Sequence, residues 1–116
     1  MSERKTGNLF SDIPEIFSEE IFNPIFEDNS LKIERIVSQG HCTAKNQWLE
    51  QGRDEWVVVI KGNARLLFKE PSQIVELKPG DYLLIKADTQ HRVEWTDPKQ
   101  KTVWLAVHGT PKQSNT

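Results

Sequence analysis

The sequence is poor in cysteine and has no long hydrophobic run. Cys42 is the single cysteine among 116 residues, so the chain cannot form an internal disulfide, and a lone thiol is ordinary in a reducing compartment. No apolar stretch approaches the roughly 20 residues that a helix needs to cross a bilayer. The N-terminal segment MSERKTGNLF lacks the apolar core of a secretory signal. We therefore expect a cytoplasmic protein that does not associate with membranes.

Neither sign of charge dominates the composition. The sequence has 15 Lys and Arg residues against 17 Asp and Glu residues, which gives a formal net charge of −2, and no block of basic residues stands out. Because proteins that bind nucleic acid through phosphates carry a basic footprint, we expect no nucleic-acid partner. The sequence also has no Gly-rich phosphate loop, no Ser-His-Asp arrangement and no zinc-ribbon spacing. The expected partner is a small molecule.

Three regions differ in their residue pattern. Residues 1–30 carry apolar side chains among acids and prolines, and this N-terminal arm is predicted to hold a short helix around residues 18–22, limited by Pro14 and Pro24. Residues 31–108 have the pattern of successive short strands. Residues 109–116 are polar and contain Gly and Pro, which predicts a flexible tail. A chain of this length is expected to form one domain.

The central region alternates strand-like segments with turn residues. Residues 55–61 give the strongest strand signal because the segment EWVVVIK is rich in β-branched and aromatic side chains. The dipeptide Gly62-Asn63 that follows suits the positive-φ positions of a tight hairpin. About eight short strands at this spacing predict an all-β barrel or sandwich. The predicted strands cover residues 31–38, 43–49, 55–61, 64–68, 73–77, 81–85, 91–95 and 102–108.

Both faces of the predicted strand 55–61 are apolar. Alternation divides its side chains into two sets, Glu55, Val57 and Val59 against Trp56, Val58 and Ile60. One set faces the barrel interior. The other needs a cover, because full burial of one Val or Ile side chain is worth ~1.5–3 kcal/mol. Two covers are available, the apolar N-terminal arm and the same face of a second subunit, and the second of these predicts a homodimer.

The spacing of several residues within 31–108 resembles that of the cupin superfamily. The first cupin motif runs as a His-x-His pair, a Glu and, after six further residues, a Gly, and Glu55 and Gly62 match that last spacing. Gly80 and His91 match the two ends of the second motif, although Lys and Asp stand where its Pro and Gly usually occur. The segments DEW, LKPGD and HRVEW look like those of small bacterial cupins of unassigned role. The resemblance implies a double-stranded β-helix, or jelly-roll barrel. It implies no single activity, because cupins include enzymes, storage proteins and ligand sensors.

In metal-binding cupins the His-x-His pair, the Glu and the second-motif His hold a divalent metal, and this chain departs from that set. The two paired His positions align with Trp48 and Glu50, so only Glu55 and His91 match in residue type. Strand alternation places Trp48 and Glu50 on one face, so Glu50 could point where a ligand should. Glu50, Glu55 and His91 would form a site with two carboxylates, one imidazole and open positions. Such a set suits Zn, Mn or Fe(II). The two-His, one-carboxylate triad of oxygen-activating iron is absent from these positions.

Two hypotheses without a metal stay open beside this one. The protein could be a binding module in which Trp48, Tyr82 and Trp95 line the pocket and stack on a sugar or a planar ring. Alternatively, the role could be structural, with the Trp48 indole closing the pocket and the protein acting through its dimer surface.

The individual histidine and glutamate residues also have alternative interpretations. His91 could pair with Glu55 or Glu50 as a structural contact, and either residue type could transfer a proton if burial shifts its pKa towards neutrality. His108 closes the last predicted strand and is expected to be a packing or surface residue.

Overall fold

The computed structural model describes residues 4–109, and all regular secondary structure in this range is β-strand. Eight strands form a five-stranded sheet in the order β1-β2-β8-β3-β6 and a three-stranded sheet in the order β5-β4-β7, with every pairing antiparallel. The all-β architecture predicted from the strand spacing is therefore confirmed. The strands are β1 (Ile21–Glu27), β2 (Leu31–Ser38), β3 (Asp54–Lys61), β4 (Ala64–Phe68), β5 (Gln73–Leu77), β6 (Tyr82–Ile85), β7 (His91–Thr96) and β8 (Thr102–Gly109).

The hydrophobic core lies between the two sheets. Strands β3 and β8 pair at the centre of the larger sheet, and alternation turns Val57 and Val59 of β3 and Trp104 and Ala106 of β8 towards the smaller sheet. Within the described residues, the core cluster consists of Ile36, Val57, Val59, Ala64, Leu66, Leu77, Ile85, Trp104 and Ala106. Of the two faces predicted for residues 55–61, the one that carries Val57 and Val59 is therefore the interior face.

A tight turn at Gly62 connects β3 to β4. Its φ is +94°, in the left-handed region that favours glycine. A Cβ at this position would stand 2.5 Å from the Cα of Thr102 on the neighbouring strand β8, so a side chain has no room there. Close approach and backbone conformation both require glycine. The predicted hairpin is not formed, because β3 and β4 lie in different sheets and only Gly62 of the dipeptide has a positive φ.

Most of the predicted strands agree with the structure to within one residue at either end. The ranges of β2, β4 and β5 are those predicted, and β3, β6, β7 and β8 each differ at one end by a single residue. Turn residues flank these segments in the sequence, and for that reason the ends of the strands were predictable.

The helix predicted around residues 18–22 is wrong, because the described part of the arm contains no helix. Residues 21–27 form strand β1 instead, pairing Ile21 with Val37 and Phe22 with Ile36 of β2. β1 is an edge strand, where a proline need not donate a hydrogen bond to a further strand, and its register shifts between Pro24 and Phe26. Pairing with β2 therefore overrides the local pattern.

The strand predicted over residues 43–49 is also absent. The segment turns at Ala44, whose carbonyl oxygen accepts a hydrogen bond from the Gln47 amide at 3.1 Å, and Asn46 has a positive φ of 70°. Within the described residues, the segment keeps one isolated bridge, between Leu49 and His91, and one hydrogen bond from the Thr43 amide to the Val93 carbonyl oxygen at 2.9 Å. A local turn thus interrupts the segment that the flanking turn residues suggested was a continuous strand.

The N-terminal arm lies against the outer face of β1 and β2. The Arg35 guanidinium donates through Nη1 to the carbonyl oxygens of Leu9 and Ser11, at 3.2 and 2.5 Å, and through Nε and Nη2 to Asn23 Oδ1. Arg35 is 8% exposed, so this clamp is buried. All but the first residue of the tail predicted over 109–116 lies outside the described residues; Gly109 itself ends β8. No helix among the described residues is long and apolar enough to cross a membrane.

Candidate functional site

A cavity of about 300 Å³ opens between the two sheets at one end of the core. Its floor is apolar and is continuous with the core, with Val57 and Ile85 contributed by the larger sheet and Leu66 and Val93 by the smaller one. Its upper wall is polar. The polar lining residues are Glu20, Glu34, Glu50, Gln51, Glu55, His91 and His108. A small apolar pocket with a few convergent polar groups is the usual form of a ligand site.

Strand alternation brings these polar side chains together. Glu55 lies two residues before Val57 on β3, so both face the interior, and the register pairs Glu55 with His108 of β8. Glu34 shares the inner face of β2 with Ile36 for the same reason. His91 begins β7 on the opposite sheet. Neighbouring strands of the large sheet and one strand of the small sheet therefore supply the wall.

His108 and Glu34 form a buried hydrogen-bonded pair. The distance from His108 Nε2 to Glu34 Oε2 is 2.8 Å, and the two residues are 7% and 6% exposed. Since a carboxylate only accepts, Nε2 donates. This hydrogen bond holds the pKa of Glu34 below its ordinary value against the opposing effect of burial, with a smaller contribution from Lys32, whose Nζ is 3.6 Å from Glu34 Oε1. The pair therefore contains an ionised carboxylate at neutral pH.

Glu55 lies between the two imidazoles. Its Oε1 accepts a hydrogen bond from Gln51 Nε2 at 3.0 Å and is 3.8 Å from His91 Nε2, while its Oε2 is 3.9 Å from His108 Nε2. Desolvation raises the pKa of Glu55, and the nearby imidazoles and the Gln51 amide oppose that rise. Both carboxylate oxygens retain unused accepting capacity towards the cavity, because each oxygen can accept more than one hydrogen bond.

The orientation of the His91 ring is fixed by a backbone group. Nδ1 is 2.9 Å from the carbonyl oxygen of Thr89, which only accepts, so Nδ1 carries a proton and Nε2 is the atom nearest Glu55. The backbone of His91 also exchanges two hydrogen bonds with Leu49, at 2.7 and 3.1 Å. This bridge holds Leu49 and Gln51 at the cavity in the absence of a continuous strand.

A third carboxylate, Glu20, lies at the edge of the cavity. It accepts a hydrogen bond from the Ser38 hydroxyl, whose oxygen accepts in turn from Trp104 Nε1 at 3.2 Å. Burial raises the pKa of Glu20, and the hydrogen bond from Ser38 opposes the rise. The chain of donors ends on the carboxylate, so Trp104 and Ser38 have no free donor to offer a ligand.

The three residues predicted to bind a metal all line this cavity. The structure shows a direct contact between Glu55 and His91, whereas Glu50 is exposed. Across residues 4–109 no group of three or more His, Cys, Asp or Glu side chains is arranged so that it could hold a metal ion. As placed, Glu50, Glu55 and His91 do not form a complete coordination set, so metal binding at these residues stays a prediction.

The three aromatic residues predicted to line the pocket lie elsewhere. Tyr82 is 68% exposed on the outer face of β6, where its ring packs 5.8 Å from that of Trp56. Trp95 stacks on the Arg65 guanidinium, with Cζ 4.5 Å from the ring centroid. Trp48 has Lys69 Nζ 5.6 Å from its ring centroid. None of the three contributes to the cavity lining, so the indole of Trp48 does not close it.

Sequence reasoning missed three of the ionisable lining residues, Glu20, Glu34 and His108. His108 was expected to be a packing or surface residue, but it lies two residues beyond Ala106 and therefore on the same inner face of β8. The same parity, counted from Ile36, places Glu34 inside. Both could have been found by extending the alternation of each strand to its end. Glu20 precedes β1, and no local signal in the sequence places it at a site.

Comparison with known proteins identifies the family. The family model described as "Cupin domain" matches residues 35–108, which is more than half of the chain. A protein of Ralstonia eutropha JMP134, described as a "putative mannose-6-phosphate isomerase", is 42% identical over 93% of this chain and 100% of its own, with a TM-score of 0.89.

More distant relatives share the fold. A cupin superfamily protein of Desulfitobacterium hafniense DCB-2 is 16% identical over 85% of this chain and 84% of its own, with a TM-score of 0.70. An RmlC-like cupin protein of Desulfovibrio desulfuricans is 15% identical over 91% of this chain and 97% of its own, with a TM-score of 0.69. No curated protein matches the chain significantly. The family match and the Ralstonia relative together show that the chain belongs to the cupin family.

Proposed function

We propose that this cupin binds a small organic molecule in the cavity between its sheets. The main support for the proposal is the lining of this cavity, which has a volume of about 300 Å³ and combines an apolar floor with a wall of carboxylates and imidazoles. That volume is at the lower end of the ~300–1,000 Å³ typical of ligand pockets, so a ligand of modest size fits. Apolar contact would supply affinity, and the polar wall would fix the orientation of the ligand.

The cavity argues against a sugar phosphate as the ligand. The Ralstonia relative is described as a "putative mannose-6-phosphate isomerase", and a phosphate dianion is normally held by Arg, Lys or several backbone amides. None of the lining residues in the described part of this chain is Lys or Arg, and four of them are glutamates. We therefore do not extend that activity to this protein.

The proposal is tested by titrating isotope-labelled protein with benzyl alcohol, a small apolar probe, and following amide chemical shifts by NMR. Saturable changes are expected around Val57, Leu66 and Val93. The matched variants Val93→Phe and Val75→Phe both enlarge a half-buried valine of the smaller sheet, but only Val93 lines the cavity. Val93→Phe should weaken binding at least about tenfold, and Val75→Phe should leave it unchanged. Equal effects of the two variants, or shifts centred outside the cavity, would contradict the proposal.

A divalent metal is the second candidate ligand. It is favoured by the state of His91, whose Nδ1–H is committed to a backbone carbonyl, an arrangement that orients metal-binding histidines in many sites. Glu55 and His91 would hold the ion, and Glu50 would have to turn inward to complete the set. The bound ion would act as a Lewis acid, and Zn, Mn or Fe suits these donors.

Elemental analysis of the purified, tag-free protein tests this second candidate. About one metal ion per chain is expected if the site is occupied, and Glu50→Gln and His91→Ala should each remove it while the far-ultraviolet circular dichroism spectrum is retained. Protein that stays free of metal after dialysis against Zn²⁺, Mn²⁺ and Fe²⁺ would exclude the candidate and leave the small-molecule proposal intact.

A further inference from the structure

The polar wall of the cavity has several unused hydrogen-bond acceptors, and most of its side-chain donors already have partners. From this imbalance we infer that the ligand presents a positively charged donor group, such as an ammonium or amidinium, to Glu55 and the His91 imidazole. The inference rests on the proposed small-molecule site and narrows its ligand to one chemical class.

Most side-chain donors of the wall have partners within the protein. Gln51 Nε2 donates to Glu55, and His91 Nδ1 to the carbonyl oxygen of Thr89. His108 Nε2 donates to Glu34. Trp104 Nε1 donates to Ser38 Oγ, whose own proton goes to Glu20. Only one of the two N–H groups of Gln51 is used in this way, so a ligand that needs to accept a hydrogen bond meets few free donors.

Several acceptors of the wall remain available. Glu55 keeps unused lone pairs on both oxygens, since Gln51 supplies its one hydrogen bond within normal distance. In the neutral His91 ring, the proton position set by Thr89 leaves Nε2 as a bare acceptor on the cavity wall. His108 is 93% buried, and its Nδ1 has no hydrogen-bond partner among the described residues. This atom is enclosed by protein and does not face the cavity, so the acceptors open to a ligand are the Glu55 oxygens and His91 Nε2.

The charge of the cavity lining also favours a cationic ligand, in agreement with the excess of unused acceptors over unused donors. Glu20, Glu34, Glu50 and Glu55 line the cavity, and among the described lining residues no Lys or Arg balances them. Lys32 is engaged with Glu34 at 3.6 Å and is not a lining residue. A cation would therefore gain from every nearby carboxylate, whereas an anion would be repelled by them.

Three probes of nearly equal size test the inference: benzylammonium, benzyl alcohol and benzoate, each titrated into the protein in the presence of EDTA at constant ionic strength. They share one ring and differ in the charge of the substituent. Benzylammonium is expected to bind at least about tenfold more tightly than benzyl alcohol, and benzoate more weakly than either. Equal affinities for benzylammonium and benzyl alcohol would overturn the inference while leaving the proposed site intact. If no probe shifts the cavity resonances, the proposed function itself fails.

Two matched variants locate the effect. Glu55→Gln removes the central negative charge and should reduce benzylammonium affinity by about tenfold with little change for benzyl alcohol. Glu76→Gln removes an exposed carboxylate of β5 outside the cavity and should change neither affinity. If the two variants act alike, the preference for a cation comes from the overall field of the protein, and the assignment to Glu55 is refuted.

A different observation supports a second proposal, which concerns the outer face of the larger sheet. Six apolar side chains on three adjacent strands form an outer apolar patch, namely Trp56 and Val58 of β3, Tyr82 and Leu84 of β6, and Leu105 and Val107 of β8. Tyr82 and Leu84 are 68% and 52% exposed, so the described residues leave this end of the sheet open. The N-terminal arm, one of the two covers that the sequence suggested, contacts Arg35 on β2 instead.

We propose that a second copy of the chain covers the outer apolar patch. A two-fold contact sets the same surface against itself, so apolar side chains meet apolar side chains and no partner of opposite charge is required. The rim of the patch carries both signs, because Lys86 Nζ is 3.3 Å from Asp54 Oδ2 on the same outer face. The two-fold axis can then pair the lysine of each copy with the aspartate of the other.

Sedimentation equilibrium of the full chain tests this proposal. The protein should be a dimer at micromolar concentration, and Leu84→Glu should convert it to a monomer without loss of the circular dichroism spectrum. Ile74→Glu is the control, because Ile74 is 60% exposed on β5, in the other sheet, and its replacement should leave the dimer intact. A monomeric parent protein, or a Leu84→Glu variant that remains a dimer, would overturn the proposal. Loss of the dimer only on removal of residues 110–116 would assign the contact to the tail instead.

Discussion

Replacement of Glu34 by Ala tests the buried His108–Glu34 pair on which the shape of the site depends. The change removes the acceptor of the 2.8 Å bond and leaves His108 Nε2 without a partner at a position 7% exposed. Breaking a buried pair costs ~3–5 kcal/mol, and water from the adjacent cavity should reduce this, so we expect a loss of about 3 kcal/mol. Of the ~5–15 kcal/mol that stabilises a domain of this kind, that is a large share.

The assay is urea unfolding of the ligand-free protein at neutral pH. Glu76→Ala is the matched control, because Glu76 is an exposed carboxylate whose contacts with Arg65 and Lys78 are both 3.7 Å long, and it should cost under about 0.5 kcal/mol. In the Glu34→Ala background, His108→Ala should cost less than it does alone, since the bond is already lost. If Glu34→Ala destabilises no more than Glu76→Ala does, the pair is not a determinant of stability and the reasoning is refuted.

The same pair predicts the sign of one pH effect. The folded-state pKa of Glu34 is lowered from 4.5, mainly by the hydrogen bond from His108 and with help from Lys32. Its contribution to stability is therefore complete above pH 4.5 and is lost as the pH falls from there through the folded-state pKa. Unfolding of the parent protein and of Glu34→Ala should differ most at neutral pH and converge in acid. A difference that grows on acidification would contradict this assignment.

Three further predictions concern single side chains. Glu20→Gln should stabilise the protein at neutral pH and have less effect in acid. The reason is that burial raises the pKa of Glu20 and Glu34 adds to the rise, although Ser38 and His41 oppose it. Urea unfolding as a function of pH measures this effect, and destabilisation at neutral pH would contradict the prediction. Gly62→Ala should lower the free energy of unfolding by about 2–5 kcal/mol, because of the positive φ and the overlap with Thr102. Calorimetry should show a drop of roughly 10 °C or more in Tm, and a change under about 2 °C would show that the turn adapts. Arg35→Met should free the arm, so that hydrogen exchange at residues 4–13 quickens while exchange in β3 and β8 does not; unchanged exchange in the arm would show that Arg35 is not its anchor.

Most strands were predictable because turn residues in the local sequence mark where they begin and end. Turn residues bracket β2, β4 and β5, and the dipeptide at Gly62 correctly marked a turn, although the strands that it joins lie in different sheets and form no hairpin. β1 could not be found in this way, because its strand conformation depends on pairing with β2. The sequence also does not show that Pro24 lies at a sheet edge, where a proline is compatible with a strand. The strand predicted over residues 43–49 is absent because the chain turns at Ala44, and the flanking turn residues on which the prediction relied do not reveal a turn inside the segment.

The candidate site was predictable only where strand parity could be extended. Glu55 and His91 were placed at the cavity by motif spacing, and parity along β8 would have added His108. The aromatic residues were misplaced because the sequence does not reveal that Arg65 stacks on Trp95 outside the cavity. The sequence also cannot show which hydrogen-bond donors already have partners, because the His108–Glu34 hydrogen bond joins residues 74 positions apart in the chain.

A crystal structure of the protein soaked with benzylammonium chloride tests the central claim most directly. We expect the ring between Val57 and Val93 on the apolar floor, with its nitrogen within hydrogen-bonding distance of a Glu55 oxygen. An empty cavity at a saturating concentration, or a probe bound only outside it, would contradict the account.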